Sequence, residues 1–195
     1  MQISQNRSWM VIAGLVLAMA LTRFNHFGSS SALPDASLAV FFLGGLYLSR
    51  FRGALLVFVA LLAEAMLVDY YAIAVRGTSD WCVTNAYGFL AIAYAAMWFV
   101  GRWFAPRHTL TGKNLPAVFV VAAVASSIAF VISNASFYLF SGRYAEMSAM
   151  EYSSRVAQYF VSYVAVALMY VACAVAVHMI YLTLKGKAHS DSHVA

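Results

Sequence analysis

The sequence predicts an all-α integral membrane protein, a bundle of six transmembrane helices with both termini in the cytoplasm. Three observations predict it. Of 195 residues, 64% are hydrophobic and 10% charged, and the mean hydropathy is +0.79; a soluble domain is about half apolar and about a quarter charged. The apolar residues fall into six runs separated by short polar breaks. The basic residues gather on alternate breaks, as membrane topology demands. The length leaves room for a single membrane domain over 1–195 and no second one.

The elements follow in order. The first helix is expected near 8–22. Arg7, the apolar stretch after it and Ala18-Met19-Ala20 resemble a secretory leader, but further spans follow, so the run reads as a membrane helix. The second is expected near 35–49, opening at Pro34 and Asp35. It is shorter than the ~20 apolar residues a full span needs, and the segment 23–33 is expected to fold into the bundle mouth and supply the missing length. Irregular backbone at that depth must be covered by protein or line a cavity. The remaining helices are expected near 53–75, 85–103, 116–139 and 156–184.

Orientation follows from charge. With the N-terminus inside, Arg7, Arg50, Arg52, Arg102, Arg107, Lys113, Lys185 and Lys187 lie on the inner side, and Arg23, Arg76, Arg143 and Arg155 on the outer. The net charge of +5 is thus accounted for by topology and does not imply nucleic-acid binding. Asp35, Asp69, Asp80, Glu146 and Glu151 fall toward the outer side, which makes that face mixed in charge and polar, as a binding mouth would be.

The most informative residue is Cys82, in the polar break Thr78-Ser79-Asp80-Trp81-Cys82-Val83-Thr84-Asn85-Ala86-Tyr87-Gly88. The second cysteine, Cys173, lies in an apolar run toward the other membrane face, so no disulfide is expected. A free cysteine is commonly an inert small hydrophobe, which suits Cys173. At Cys82 a reactive or metal-ligating role stands beside that reading, because a thiolate is a soft metal ligand and a nucleophile.

Asp69 lies in the outer third of the third helix, where a carboxylate must face the bundle interior or water. It reads either as a ligand-binding group or as a structural partner of Arg76 or Arg155. Glu64 lies deeper and roughly 140° around the helix from Asp69, and reads as protonated and hydrogen-bonded between helices or, alternatively, as a proton-coupling residue. Asn85 suits a helix cap, Tyr87 an interfacial belt or a binding wall, and Arg155 an interfacial position at the start of the last helix. Seven tyrosines (70, 71, 87, 138, 144, 152 and 159) fall toward the outer side and suggest walls for a large flat ligand. His26, beside Asn25, is a structural hydrogen bonder, a metal ligand or a pH sensor.

No Walker A sequence is present, so ATP hydrolysis is not expected and no nucleotide is implied. GxSxG and HExxH are absent too.

Taken together, six short helices with both termini inside and an outer mouth resemble the S-component of an energy-coupling factor (ECF) transporter. More narrowly, Asp69, the Asp80-Trp81-Cys82 loop, Tyr87 and Arg155 resemble the BtuM family, the solitary cobalamin-specific S-components of Gram-negative bacteria. The likeness spans essentially the whole chain, and Cys82 is its most specific element.

The resemblance implies cobalamin as the transported ligand, bound at the outer face of the inner membrane with Cys82 as an axial ligand of its cobalt. Asp69, Tyr87, Arg155, His26, Asn85 and Trp81 accompany it as substrate-binding residues. Uptake would then depend on an ECF energising module, a transmembrane coupling subunit with its ATPases, met through small residues of the first helix. Gly14 and Ala18 stand there in place of the family's alanine pair. Donation from a thiolate also loosens the opposite axial ligand, so removal of cyanide with Cys82 in a catalytic role is a further expectation. The competing reading is a membrane thiol enzyme with Cys82 as nucleophile and His26 as the base available on the outer side. A structural membrane protein without a ligand is the third.

Overall fold

The structure is a computed structural model that describes residues 5–24, 33–105 and 112–191, with side chains described over 6–24, 33–105 and 113–184. The described residues form helices, turns and loops with no strand. In chain order the helices are α1 (Gln5–Arg23), α2 (Ser37–Tyr47), α3 (Ala54–Ala74), α4 (Leu90–Phe104), α5 (Leu115–Phe140) and α6 (Ala149–Asp191). Short 3₁₀ turns at Tyr87–Phe89 and Gly112–Asn114 lead into α4 and α5.

Among the described residues three helices are long and apolar enough to cross a membrane: Ala54–Ala74, Leu115–Phe140 and Ala149–Leu184, with mean hydropathies of 1.9, 2.5 and 2.3. Their exposed apolar residues, such as Leu56, Leu67, Val131 and Val161, suit a hydrocarbon surround. The expected second span departs most from its forecast. It is 11 residues long, about 16 Å, and cannot cross a hydrocarbon core of about 30 Å by itself. Nine of those residues are buried, because α2 lies in the middle of the bundle against α1, α3, α4 and α6. A helix enclosed on all sides is apolar all round, and a run of that kind cannot be told from a short membrane span by composition.

The tightest contact is between α2 and α4. A methyl group on Gly45 would overlap the Trp98 carbonyl, and one on Gly101 would overlap the Phe42 carbonyl. Glycine at both places lets the two backbones touch, the mode by which small residues bring membrane helices together. Trp98, 1% exposed, fills the space beside Gly44, and Phe58 packs edge-on to it at 5.3 Å.

The helices alternate in direction. At one end Arg23 closes α1, Ser37 opens α2, and Asp69 lies one turn from the end of α3. At the other end Trp9 meets Phe51, Tyr47 meets His178 and Arg7 lies over Tyr181. The last helix starts earlier than expected, at Ala149 rather than near 156. Tyr170, about 21 residues and thus ~32 Å along α6, donates to the Pro34 carbonyl at 2.6 Å. The start of α2 is therefore set well below the start of α6, and the floor at this end of the bundle is recessed.

Candidate functional site at the Arg23 end of the bundle

The floor is built around Arg23, the last residue of α1, which is 1% exposed. A buried guanidinium needs a partner for each of its donors, and this one finds them on three helices and the residues just ahead of α2. Nε donates to Asp69 Oδ1 at 2.8 Å and to the Ala65 carbonyl at 3.2 Å. Nη2 donates to Asp69 Oδ2 at 2.6 Å. Nη1 donates to Ser37 Oγ at 2.8 Å and Tyr94 Oη at 2.7 Å, and lies 3.5 Å from Asp35 Oδ2. Asp35 in turn accepts from the Ser37 backbone N–H and hydroxyl at 2.9 and 2.6 Å, which fixes the first residue of α2. Tyr94 stacks on Phe41, ring centres 4.4 Å apart.

Asp69 is the hub. Besides gripping Arg23 through both oxygens, it accepts a 2.5 Å hydrogen bond from the Tyr87 hydroxyl. Two sequence-predicted site residues, Asp69 and Tyr87, are thus in direct contact. The expected partners of Asp69, Arg76 and Arg155, are not its partners; Arg23 holds that place. Arg76 instead lies over the Phe24 ring at 5.4 Å. A basic residue ending an apolar run, paired against a lone acid in the outer third of another run, is the signal that points to Arg23.

Cys82 lies above this floor. The chain leaves α3 through Gly77, at φ +67°, a left-handed conformation that glycine adopts without strain. A tight turn follows, with the Val83 N–H bonded to the Asp80 carbonyl at 2.8 Å. The thiol is free and exposed. Protein on one side removes part of its solvation and pushes the thiol pKa up; the Arg143 guanidinium draws it back partway, and the Asp69 carboxylate adds to the rise. Arg143 comes from the α5–α6 connection, which turns through Gly142 at φ +71°, and it stacks 3.7 Å from the centre of the Trp81 ring. The two loops at this end are therefore pinned to each other one residue from the thiol. In the sequence Arg143 carries no signal beyond a charge in the break between two apolar runs.

The other expected site residues are placed differently. Asn85 is exposed and caps nothing: the 3₁₀ turn and α4 start behind Ala86 and Phe89 with no side-chain cap. Arg155 lies inside α6 rather than at its start. It is exposed and pairs with Glu151 one turn earlier at 2.7 Å. His26 lies outside the described residues. Glu64 is buried at both carboxylate oxygens without the hydrogen-bond partner expected for it.

The tyrosines do not form one wall. Tyr138 and Tyr144 both pack on Tyr152, ring centres 5.0 and 4.8 Å away, and Tyr138 holds the Met147 carbonyl at 2.8 Å, so this trio braces the α5–α6 turn. Tyr70 and Tyr159 point outward and are exposed. A cavity of about 350 Å³ lies within that turn, lined by Arg143, Tyr144, Glu146 and Glu151 among others. A smaller one of about 100 Å³ lies between α3 and α4, bounded by Arg23, Met66, Tyr87 and Tyr94. No group of three or more His, Cys, Asp or Glu side chains suited to hold a metal occurs among the described residues, so any metal here would be held by few protein donors.

Fold and site together define a protein that is helical through its described residues, with helices long and apolar enough to cross a membrane and a polar, partly charged end built over a buried arginine. No family model matches the chain, and no curated protein matches it.

Proposed function

We propose that this protein captures cobalamin at the outer face of the bacterial cytoplasmic membrane as the substrate-binding subunit of an uptake system, with the Cys82 thiolate as an axial ligand of the substrate's cobalt. The observation that carries the reading is an exposed free thiol on a loop pinned by Trp81 and Arg143, next to a hydrogen-bonded Asp69–Tyr87 pair. A soft sulfur donor suits cobalt, and one protein ligand suffices because the corrin ring supplies the equatorial four. The two cavities are smaller than a corrin, so the ligand would lie over the recessed outer surface, with Trp81, Asn85 and Arg155 at its edges.

In this reading all six helices lie within the bilayer region, with both termini cytoplasmic and α2 too short to cross it alone. The shortness of α2 is compatible with that, because its neighbours shield it from lipid. Concentrative uptake would draw on an ECF energising module, since the sequence has no nucleotide-binding motif. When the thiolate gives its electron pair to cobalt, the opposite axial ligand is weakened. Cyanide would leave with its own pair, and cobalt would keep its oxidation state in that exchange.

The test is the visible spectrum of protein purified with cobalamin present. About one corrin per chain is expected, with a band shift that is lost in Cys82→Ser and kept in Cys173→Ser. Colourless protein, or an unchanged spectrum in Cys82→Ser, removes the cobalt–sulfur contact and with it the main support for this function. Periplasmic rather than cytoplasmic activity of a reporter fused at Ala195 would overturn the orientation.

A further inference from the structure

We propose that Arg23 is a positioning residue of the outer site: by engaging both oxygens of Asp69 from below, it turns that carboxylate into a fixed acceptor for Tyr87 and so holds the Cys82 loop in one arrangement. The ligand arm of this inference rests on the cobalamin reading; the remainder does not.

Three observations carry it. The Asp69 carboxylate is 3% exposed and already accepts from Nε and Nη2 of Arg23 and from the Tyr87 hydroxyl. It has little capacity left for a ligand, so it acts through Tyr87. The link runs onward along the chain. The Tyr87 N–H is bonded to the Thr84 carbonyl at 2.9 Å, and the Val83 N–H to Asp80 at 2.8 Å, so the anchored phenol terminates the short looped segment that contains the thiol. Finally, Arg23 joins α1 to α2, α3 and α4 through Asp35, Ser37, Asp69 and Tyr94. Movement of α1 against the bundle would reach the loop through one guanidinium.

A structural role alone and a positioning role predict different results. Losing one member of a buried ion pair leaves the other uncompensated, whereas replacing both with apolar residues is often tolerated. The double variant Arg23→Met with Asp69→Leu should therefore melt closer to the wild-type temperature in detergent than Arg23→Gln does, with a residual loss from the Ser37, Tyr94 and Asp35 contacts of the guanidinium. In the ligand-free protein its segment 78–90 should still exchange amide hydrogens about fivefold faster, the effect of one lost hydrogen bond on local opening. Tyr87→Phe, which keeps the ion pair, should show the same acceleration, and adding it to the double variant should change nothing further. Hydroxocobalamin binding should weaken about tenfold in both.

Wild-type exchange over 78–90 in the folded double variant reduces Arg23 to a structural ion pair and overturns the proposal. Should the double variant not fold, wild-type exchange in Tyr87→Phe still overturns the proposal, because the loop is then not held through that phenol. Wild-type protein that binds no hydroxocobalamin refutes the proposed function, while the exchange measurements still decide the role of Arg23.

Discussion

Arg23 and Arg155 form ion pairs of nearly equal length, 2.6 Å to Asp69 and 2.7 Å to Glu151, in opposite settings. The side chains of the first pair are 1% and 3% exposed, and those of the second 61% and 50%. Both arginines are on helices and lie toward the same end of the chain's topology, yet only one organises anything. The Arg23 pair draws in Asp35, Ser37, Tyr87 and Tyr94, because each buried polar atom there must find a partner or cost stability. The Arg155 pair spans one turn of a single helix in water, where solvent already satisfies both ions. The comparison teaches that the length of an ion pair says little about its role, whereas the number of separate elements it ties together says much.

The largest effect expected from this contrast is at Arg23. Arg23→Gln should destabilise the protein by about 3–5 kcal/mol, since Asp69 is left as a buried, uncompensated charge; thermal melting in detergent reads it. A stable Arg23→Gln would break the comparison at its root.

Next comes the seam that carries the clamp's supporting helices. Gly45→Ala should cost about 1–3 kcal/mol through overpacking, because the obstructing atom is the Trp98 backbone carbonyl, which cannot swing aside as a side chain does. Tyr87→Phe should cost about 1 kcal/mol, the worth of one hydrogen bond, and should sharpen the comparison by separating the phenol from the ion pair. The smallest stability change belongs to Arg155→Ala, within about 0.5 kcal/mol. A loss of cobalamin binding in that variant without a change in melting would mark Arg155 as a ligand contact.

A pH experiment probes the loop itself. Cys82 keeps its proton to higher pH than an ordinary cysteine, about 8.5, because desolvation outweighs the pull of Arg143. Maleimide labelling of Cys82, in a Cys173→Ser background, should therefore have a midpoint above that of a free thiol, and Arg143→Gln should move it higher still. The sign for stability follows: the contribution is present below the unfolded thiol's pKa and is lost as pH rises through the folded one. Cobalt ligation needs the thiolate, so on the proposed function cobalamin binding should strengthen over the same rise. A midpoint lowered by Arg143→Gln would show that the guanidinium does not face the sulfur.

The positions of the helices were legible from the sequence because lipid-facing and buried helical surfaces are both apolar, and the polar breaks between runs are short. Composition located α3 and α5 close to where they lie, and both cysteines are free, as expected from the different segments that hold them. Asp69 was found because a carboxylate within an apolar run stands out whatever surrounds it. Tertiary structure decided the rest. Whether an apolar run of 11 residues crosses a membrane or fills the centre of a bundle depends on its neighbours, which periodicity along one helix does not reveal. The partner of Asp69 was likewise undetermined, because Arg23, Arg76 and Arg155 are equivalent as charges near one membrane face, and only packing excludes water from one of them. The pinning of the Cys82 loop by Arg143 joins residues about sixty positions apart. A cation over an aromatic face leaves no pattern in the chain, so that contact exists only once α3, α4, α5 and α6 have brought their ends together.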